Sequence, residues 1–373
     1  MRTGCSLVLA AAIVLTTLAV PARPADPDVG PDPKEVQAVL DRAVAYLRKR
    51  QGQDGSFAPK LAGPGVTALV VAGMLRNGYP ADDPTVAKAL AYIESKVQKD
   101  GGIYDKFLAN YVTSVAVMAL AEANKGGKYD TIIKNATQFL KRLQYGDNVD
   151  PKDPKYGGSS YDGKGRPDLS NTQYFLEAMQ AAGVPKDDPA VQRALKFINR
   201  CQNQPGDFQD QPFAKKASAD DKGGLTYTPL DPDDSPHKSA DGGLRSLGAM
   251  TYAGLKSFLY AGVSRDDLRV QGALRWIREH YTLEENPGQG QAGLFYYYHT
   301  FAKAMTALGE DRFEDAKKVK HDWRKELFEA LKKRQRADGS WAVEGDKTFG
   351  ESSPDLATAF AVLTLSYVKP AKK

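Results

Sequence analysis

The chain has little that would cross-link it or bind a metal: two cysteines, four histidines and three tryptophans in 373 residues. Cys5 precedes an apolar N-terminal run, so removal of that segment leaves Cys201 with no intramolecular disulfide partner, and stability has to come from packing. Charge of one sign is also missing. The 51 basic and 46 acidic side chains leave a formal net charge of +5, and the signs are interleaved, which argues against a nucleic-acid surface. The densest basic run, Lys317-Lys318-Val319-Lys320-His321, reads as a solvated face of an outer helix leading into Trp323. There is no P-loop, dinucleotide fingerprint, His-Glu-x-x-His helix, nucleophile elbow or Cys-Gly-Glu-Gln thioester element. No cofactor is implied, and no metal site.

What is present begins with Arg2, an apolar run over residues 7–19 and the small-residue step Val20-Pro21-Ala22. That run falls short of the ~20 residues of a membrane span, so residues 1–22 are expected to be a secretory signal peptide. Residues 23–33, rich in Pro and Asp, read as a leader. The expected product is exported, periplasmic or extracellular, with no later segment able to span a membrane. Residues 34–370 are expected to form a single domain with a long insert at about 209–243.

Repeats decide the fold. Threonines at Thr67, Thr113, Thr172, Thr251, Thr300 and Thr358 stand near the start of six apolar, small-residue segments. Before three of them the chain carries Asp82-Asp83-Pro84, Asp187-Asp188-Pro189 and Asp266-Asp267-Leu268, each a helix start in which Asp accepts first-turn amides and Pro fits the first helical position. Nine residues after the second Asp of each comes an aromatic, Tyr92, Phe197 or Trp276, followed by Ile.

The first helix of a unit ends in a turn seen most clearly in Gln51-Gly52-Gln53-Asp54-Gly55-Ser56-Phe57 and Gln335-Arg336-Ala337-Asp338-Gly339-Ser340-Trp341. Degenerate copies are read at residues 98–104, at Gln144 with Gly157-Gly158-Ser159-Ser160-Tyr161, and at residues 202–208. Each unit is therefore an outer amphipathic helix, a glycine-aromatic turn and an inner apolar helix whose lack of charge implies burial. Six pairs that cannot bury both faces alone must share a core, and a closed ring explains the nearly uncharged inner set best.

The Gln-x-x-Asp-Gly-Ser-Trp/Phe turn resembles the repeat of squalene-hopene cyclases, other class II terpene cyclases and protein prenyltransferase β subunits. The resemblance covers nearly the whole chain after the leader and implies an all-α (α/α)6 toroid around a central cavity. It also implies two catalytic signatures to look for. The cyclase acid is the middle Asp of Asp-x-Asp-Asp-Thr-Ala; here Asp231-Pro232-Asp233-Asp234 is followed by Ser-Pro and lies in the insert, out of register with Thr251, so it reads first as a solvated acidic loop and second as a cation site or a displaced acid. The prenyltransferase zinc set pairs an Asp-x-Cys with a Tyr-His-Thr. Tyr298-His299-Thr300 matches the second half, while Gly248 and Met250 occupy the other two ligand positions, leaving one ligand of the three or four zinc needs.

Residues flanking the six threonines are expected to border the cavity. His299 and Asp168 are the candidate catalytic groups, a proton carrier near neutral pH and a carboxyl at an inner-helix start. Asn171, Tyr174, Arg245, Tyr252, Tyr296 and Tyr298 are the candidate ligand-binding residues. Asp168 and Asp355 read equally as helix caps, and the tyrosines as core. The function expected is binding, and in a catalytic version transformation, of an apolar or isoprenoid-like ligand in the central cavity. Two alternatives stay open: a non-catalytic binding or scaffolding module with a protein or envelope partner, and a carbohydrate-processing toroid.

Overall fold

The computed structural model describes residues 29–230 and 237–369. The expected signal peptide, most of the leader and the acidic run from Asp231 to Asp234 lie outside the described residues. Outer helices α1 (Pro33–Arg50), α3 (Pro84–Glu94), α5 (Asp130–Leu143), α7 (Pro189–Arg200), α9 (Leu268–Glu279) and α11 (Trp323–Arg334) alternate with inner helices. The inner set is α2 (Gly65–Arg76), α4 (Ala109–Ala123), α6 (Leu169–Ala181), α8 (Gly248–Tyr260), α10 (Leu294–Leu308) and α12 (Pro354–Val368). Each inner helix packs on the next, and α12 packs back on α2. The fold is an (α/α)6 toroid. Among the described residues no helix is long and apolar enough to cross a membrane.

The helix starts form as their sequences dictate. Asp83 accepts the amides of Thr85 and Val86, Asp188 that of Ala190 and Asp267 that of Arg269, each cap worth about 1 kcal/mol. The basic run does not continue a helix. Lys320-His321 pairs antiparallel with Phe313-Glu314 in a short hairpin ahead of α11, because Asp315 accepts the amides of Lys317 and Val319 and closes a turn there.

The repeat residues are the joints of the ring. In five units the threonine hydroxyl accepts the amide two residues after the positive-φ glycine of the preceding turn: Thr67 from Phe57, Thr113 from Ile103, Thr172 from Ser159, Thr251 from Leu225 and Thr358 from Trp341, at 2.9–3.1 Å; Tyr104 and Tyr161 of the second and third turns lie one and two residues beyond it. In four units the glutamine amide spans outward to the next outer helix. Gln51 donates to the carbonyls of Gly55 and Thr85, Gln144 to Gly157 and Ala190, Gln202 to Gly223 and Arg269, and Gln335 to Gly339 and Val39. The turn glycine is obligatory on two counts. Gly339, for example, has φ +91°, and a Cβ there would stand 2.3 Å from the Arg42 carbonyl oxygen of α1, so a side chain would be strained and would push the next helix away.

These joints correct one assignment. The fourth turn is not residues 202–208 but Gln202 with Gly223-Gly224-Leu225, and the excursion of the insert begins inside the turn. Arg200 anchors it, fully buried and donating to both carboxylate oxygens of Asp210 and to the carbonyls of Pro151 and Asp153.

Candidate functional site

At the end of the ring where the inner helices begin, a cavity of about 440 Å³ opens to the surface. Its wall is aromatic. Tyr111 meets Tyr174 edge-on at 5.1 Å, Tyr174 lies 6.2 Å from Tyr296, and Tyr296 lies 6.0 Å from Phe349 and 5.8 Å from Phe360. Leu247, Ala249, Met250 and Leu356 add aliphatic surface. The Ser170 and Tyr296 hydroxyls are 2.8 Å apart. Burial pushes the phenols of Tyr174 and Tyr296 well above their usual range, so they remain neutral donors. Arg166, His237 and Lys347 stand among the lining residues, with Arg166 and Lys347 exposed.

Asp168 lies behind this wall. It is 2% exposed and caps α6 by accepting the Asn171 amide at 2.7 Å and its side-chain nitrogen at 2.8 Å. Burial drives its carboxyl up to about 6, against the hydrogen bonds from Asn171 and from the hydroxyl of Tyr227. Tyr227 and Tyr161 reach the cavity, their hydroxyls 3.5 Å apart. The capping reading of Asp168 and its placement beside the cavity therefore hold together. Asp355 is different: it accepts from the Tyr46 hydroxyl at 2.7 Å and from Arg50 at 3.0 Å, tying α12 to α1, and it caps nothing.

The loop before α12 supports the rim. Glu351, 0% exposed, accepts the amides of Phe295 and Tyr296, and Asp346 accepts that of Gly293, so two carboxyl groups sit at the start of α10. Desolvation raises Glu351 to about 8, opposed by those amides and helped by Asp346.

Of the residues singled out in the sequence, Tyr174 and Tyr296 line this cavity, and Asp168 and Asn171 stand one layer behind it. Tyr252 packs between α8 and α10, against Tyr297 at 5.7 Å and Phe301 at 4.9 Å. Tyr298 donates to the Leu283 carbonyl, which turns it away from the ring centre. Arg245 is exposed on the stretch leading to α8, its amide donating to the His237 carbonyl at 2.7 Å. The reason for the scatter is geometric. A threonine hydroxyl that bonds the outer turn fixes its own side of the helix outward, so the cavity-facing positions are two before and two after it, as Ser170 and Tyr174 are around Thr172. In α10 the turn is missing and Thr300 bonds only the Tyr297 carbonyl; there the phase differs.

His299 is buried deeper, 5.9 Å from Phe360 and 6.2 Å from Tyr367, with neither ring nitrogen hydrogen-bonded. Burial, then Lys303, push its pKa well below the usual imidazole range. Below it the few charges of the nearly uncharged inner helices converge. Glu177 of α6 accepts from Lys256 of α8 through one oxygen and from Lys303 of α10 through the other, and Lys256 also donates to Gln173. Glu177 is held at about 2 because the two ammoniums outweigh its desolvation. The signal was in the sequence, as three charges in otherwise apolar helices. Their convergence from three separate helices was not. Glu177 and Lys303 line a second cavity of about 380 Å³ between the C-terminal halves of the inner helices, with Arg76, Glu122, Tyr260 and Tyr367.

Residues 58–219 match the family model of the squalene-hopene cyclase C-terminal domain. No curated protein matches the chain by sequence. Among solved structures, the chain is similar to the type II terpene cyclase MstE from Scytonema in its apo form, at 14% identity and TM-score 0.52, covering 90% of this chain and 98% of that one. It is similar to a D-mannose isomerase at 12% identity and TM-score 0.55, covering 90% and 97%. It is also similar to a glycosyl hydrolase of family 88 from Bacteroides vulgatus at 11% identity and TM-score 0.53, covering 90% and 98%. At these identities the likeness is one of fold.

Proposed function

We propose that the chain belongs to the terpene cyclase-like α/α-toroid superfamily and that its aromatic cavity binds an amphiphilic small molecule outside the cytoplasm. An apolar, isoprenoid-like body packs among Tyr111, Tyr174, Tyr296, Phe349 and Phe360, and a polar or anionic head meets Arg166, His237 and Lys347 at the rim. The observation that supports this is the aromatic wall itself: a concave, mostly apolar pocket with a few polar groups at one edge is what such a ligand needs. The starts of six inner helices surround the same end, which favours negative charge there. In the catalytic form of the reading, Asp168 is the proton store and the Tyr227 hydroxyl carries the proton to the cavity; His299 does not reach it.

Native mass spectrometry of the full chain purified from its cell envelope tests the reading, with Ala249→Phe as the filled-cavity control. A co-purifying apolar ligand present in the wild type and lost in the folded A249F variant supports it. A cavity that retains nothing and takes up no farnesol or geranylgeraniol added in excess overturns it, and saccharide in place of lipid moves the assignment to the carbohydrate-processing alternative. Capture of a protein partner that survives A249F favours the scaffolding alternative, with the 209–243 insert as its contact surface.

A further inference from the structure

The cluster at the other end of the ring has a charge that does not close. Two ammoniums, Lys256 and Lys303, share the single carboxylate of Glu177, all three with side chains at most 4% exposed. Arg76 adds nothing to the imbalance because Glu122 and the Tyr367 hydroxyl hold it. A buried net charge of +1 is costly, and the cheapest relief is to lose one proton. The two lysines are not equivalent. Lys256 is fully enclosed and also donates to Gln173, whereas Lys303 forms part of the second cavity's wall. The group that gives up its proton and faces a cavity is therefore the same group.

We infer that Lys303 is a nucleophilic amine and that the second cavity takes a small 2-oxo acid, whose carbonyl carbon condenses with Nζ. The neutral nitrogen attacks the carbonyl carbon, a C–N bond forms, and the π pair moves to oxygen, which takes a proton from nitrogen to give a carbinolamine. One proton from water protonates the hydroxyl, the C–O bond breaks, and water leaves an iminium; nothing is oxidised or reduced. The carboxylate of the ligand decides the class. With a neutral aldehyde the product is an iminium and Lys256 against Glu177 alone, again +1. With a 2-oxo acid the second carboxylate brings the cluster to neutrality.

The surroundings agree. The charged groups nearest Lys303 are Glu177, Lys256 and Arg76, with His299 one turn earlier on α10 and Glu122, Tyr260 and Tyr367 in the same cavity wall. Desolvation pushes Lys303 down to about 7; Glu177 opposes, while Lys256 and Arg76 add to the fall. Lys303 lies more than one turn from the end of α10, beyond the reach of the negative helix terminus.

The experiment is reductive trapping on the full chain with glyoxylate and cyanoborohydride at pH 7, followed by peptide mapping. A lysine of ordinary pKa is unprotonated in roughly one part in 2,500 at that pH, so Lys303 is expected to be labelled at least about 100-fold faster than exposed lysines. Its rate is expected to level off just above pH 7, where theirs keeps rising. Propanal, which lacks the carboxylate, is expected to label Lys303 at least tenfold more slowly than glyoxylate and surface lysines at comparable rates. K303R is expected to lose this label alone. Adducts spread over exposed lysines with Lys303 unlabelled in the wild type overturn the inference, and so does equal labelling of Lys303 by propanal. Ligand retention in the aromatic cavity does not enter either outcome.

Discussion

The two ends of the inner ring are made by the same six helices and have opposite chemistry. Where the helices begin, tyrosines and phenylalanines enclose an apolar cavity whose polar groups stay at the rim. Where they end, the wall carries Arg76, Glu122, Glu177 and Lys303. Between the two, His299 lies near a ring of each, Phe360 above and Tyr367 below. The ring fold requires burial of the inner helices but not apolarity throughout: a charge is admitted wherever neighbouring helices bring its partner. One end is therefore tolerant of aromatic substitution at fixed volume, while the other depends on the one carboxylate that its two lysines share.

Removing the shared carboxylate separates the two ends most sharply. Glu177→Gln takes away the one carboxylate that Lys256 and Lys303 share and is expected to cost about 3–5 kcal/mol in urea unfolding, with the aromatic cavity's ligand retention unchanged in the folded fraction. A cost under about 1 kcal/mol would show that the lower cluster is solvated and not a buried one.

Glu351→Gln acts at the upper end. Its carboxyl is raised from 4.5 to about 8 in the folded chain, so the native state holds a proton that the unfolded state has released between those values. The stability it contributes is complete below pH 4.5 and is lost as pH rises through about 8. E351Q is expected to flatten the fall in stability across that window by on the order of 1–3 kcal/mol, read as midpoint shifts in urea at pH 5, 6.5 and 8. Parallel pH profiles for wild type and variant would remove Glu351 from the account.

Ser170→Ala is the mildest change. It deletes the hydroxyl partner of Tyr296 in a wall that otherwise keeps its packing, and is expected to cost about 0.5–1.5 kcal/mol in stability while leaving the lower cluster's labelling unaltered. A larger loss would mean that the aromatic wall is organised by its hydroxyls and not by ring packing.

The sequence made the ring legible because its joints are local. Thr67, Thr113, Thr172, Thr251 and Thr358 each bond a turn 10 to 26 residues earlier in the chain, and the Asp-Pro starts declare their own caps. What was not legible depends on contacts between units. Gln202 had a nearby glycine at Gly206, and only the structure shows that its amide selects Gly223. Arg245 is close to Thr251 in sequence, yet α8 starts at Gly248 and leaves it on the exposed approach. Tyr298 and His299 followed a motif, while the loss of the turn before α10 had already changed which side of that helix faces inward. Lys256, Lys303 and Glu177 each looked like an exception on its own helix, and their meaning comes only from being brought together.

The joint between α11 and α1 closes the ring without a covalent connection, and its register matches three of the connected joints. Gln335 reaches Val39 and Gly339 abuts Arg42, three residues later, as Gln51 reaches Thr85 and Gly55 abuts Lys88, Gln144 reaches Ala190 and Gly157 abuts Arg193, and Gln202 reaches Arg269 and Gly223 abuts Gly272. Neighbour recognition in this toroid is thus carried by one amide and one bare Cα, and the peptide linkage is incidental to it. A circularly permuted chain, sealed between α12 and α1 and opened at another joint, would meet the same instructions at every step.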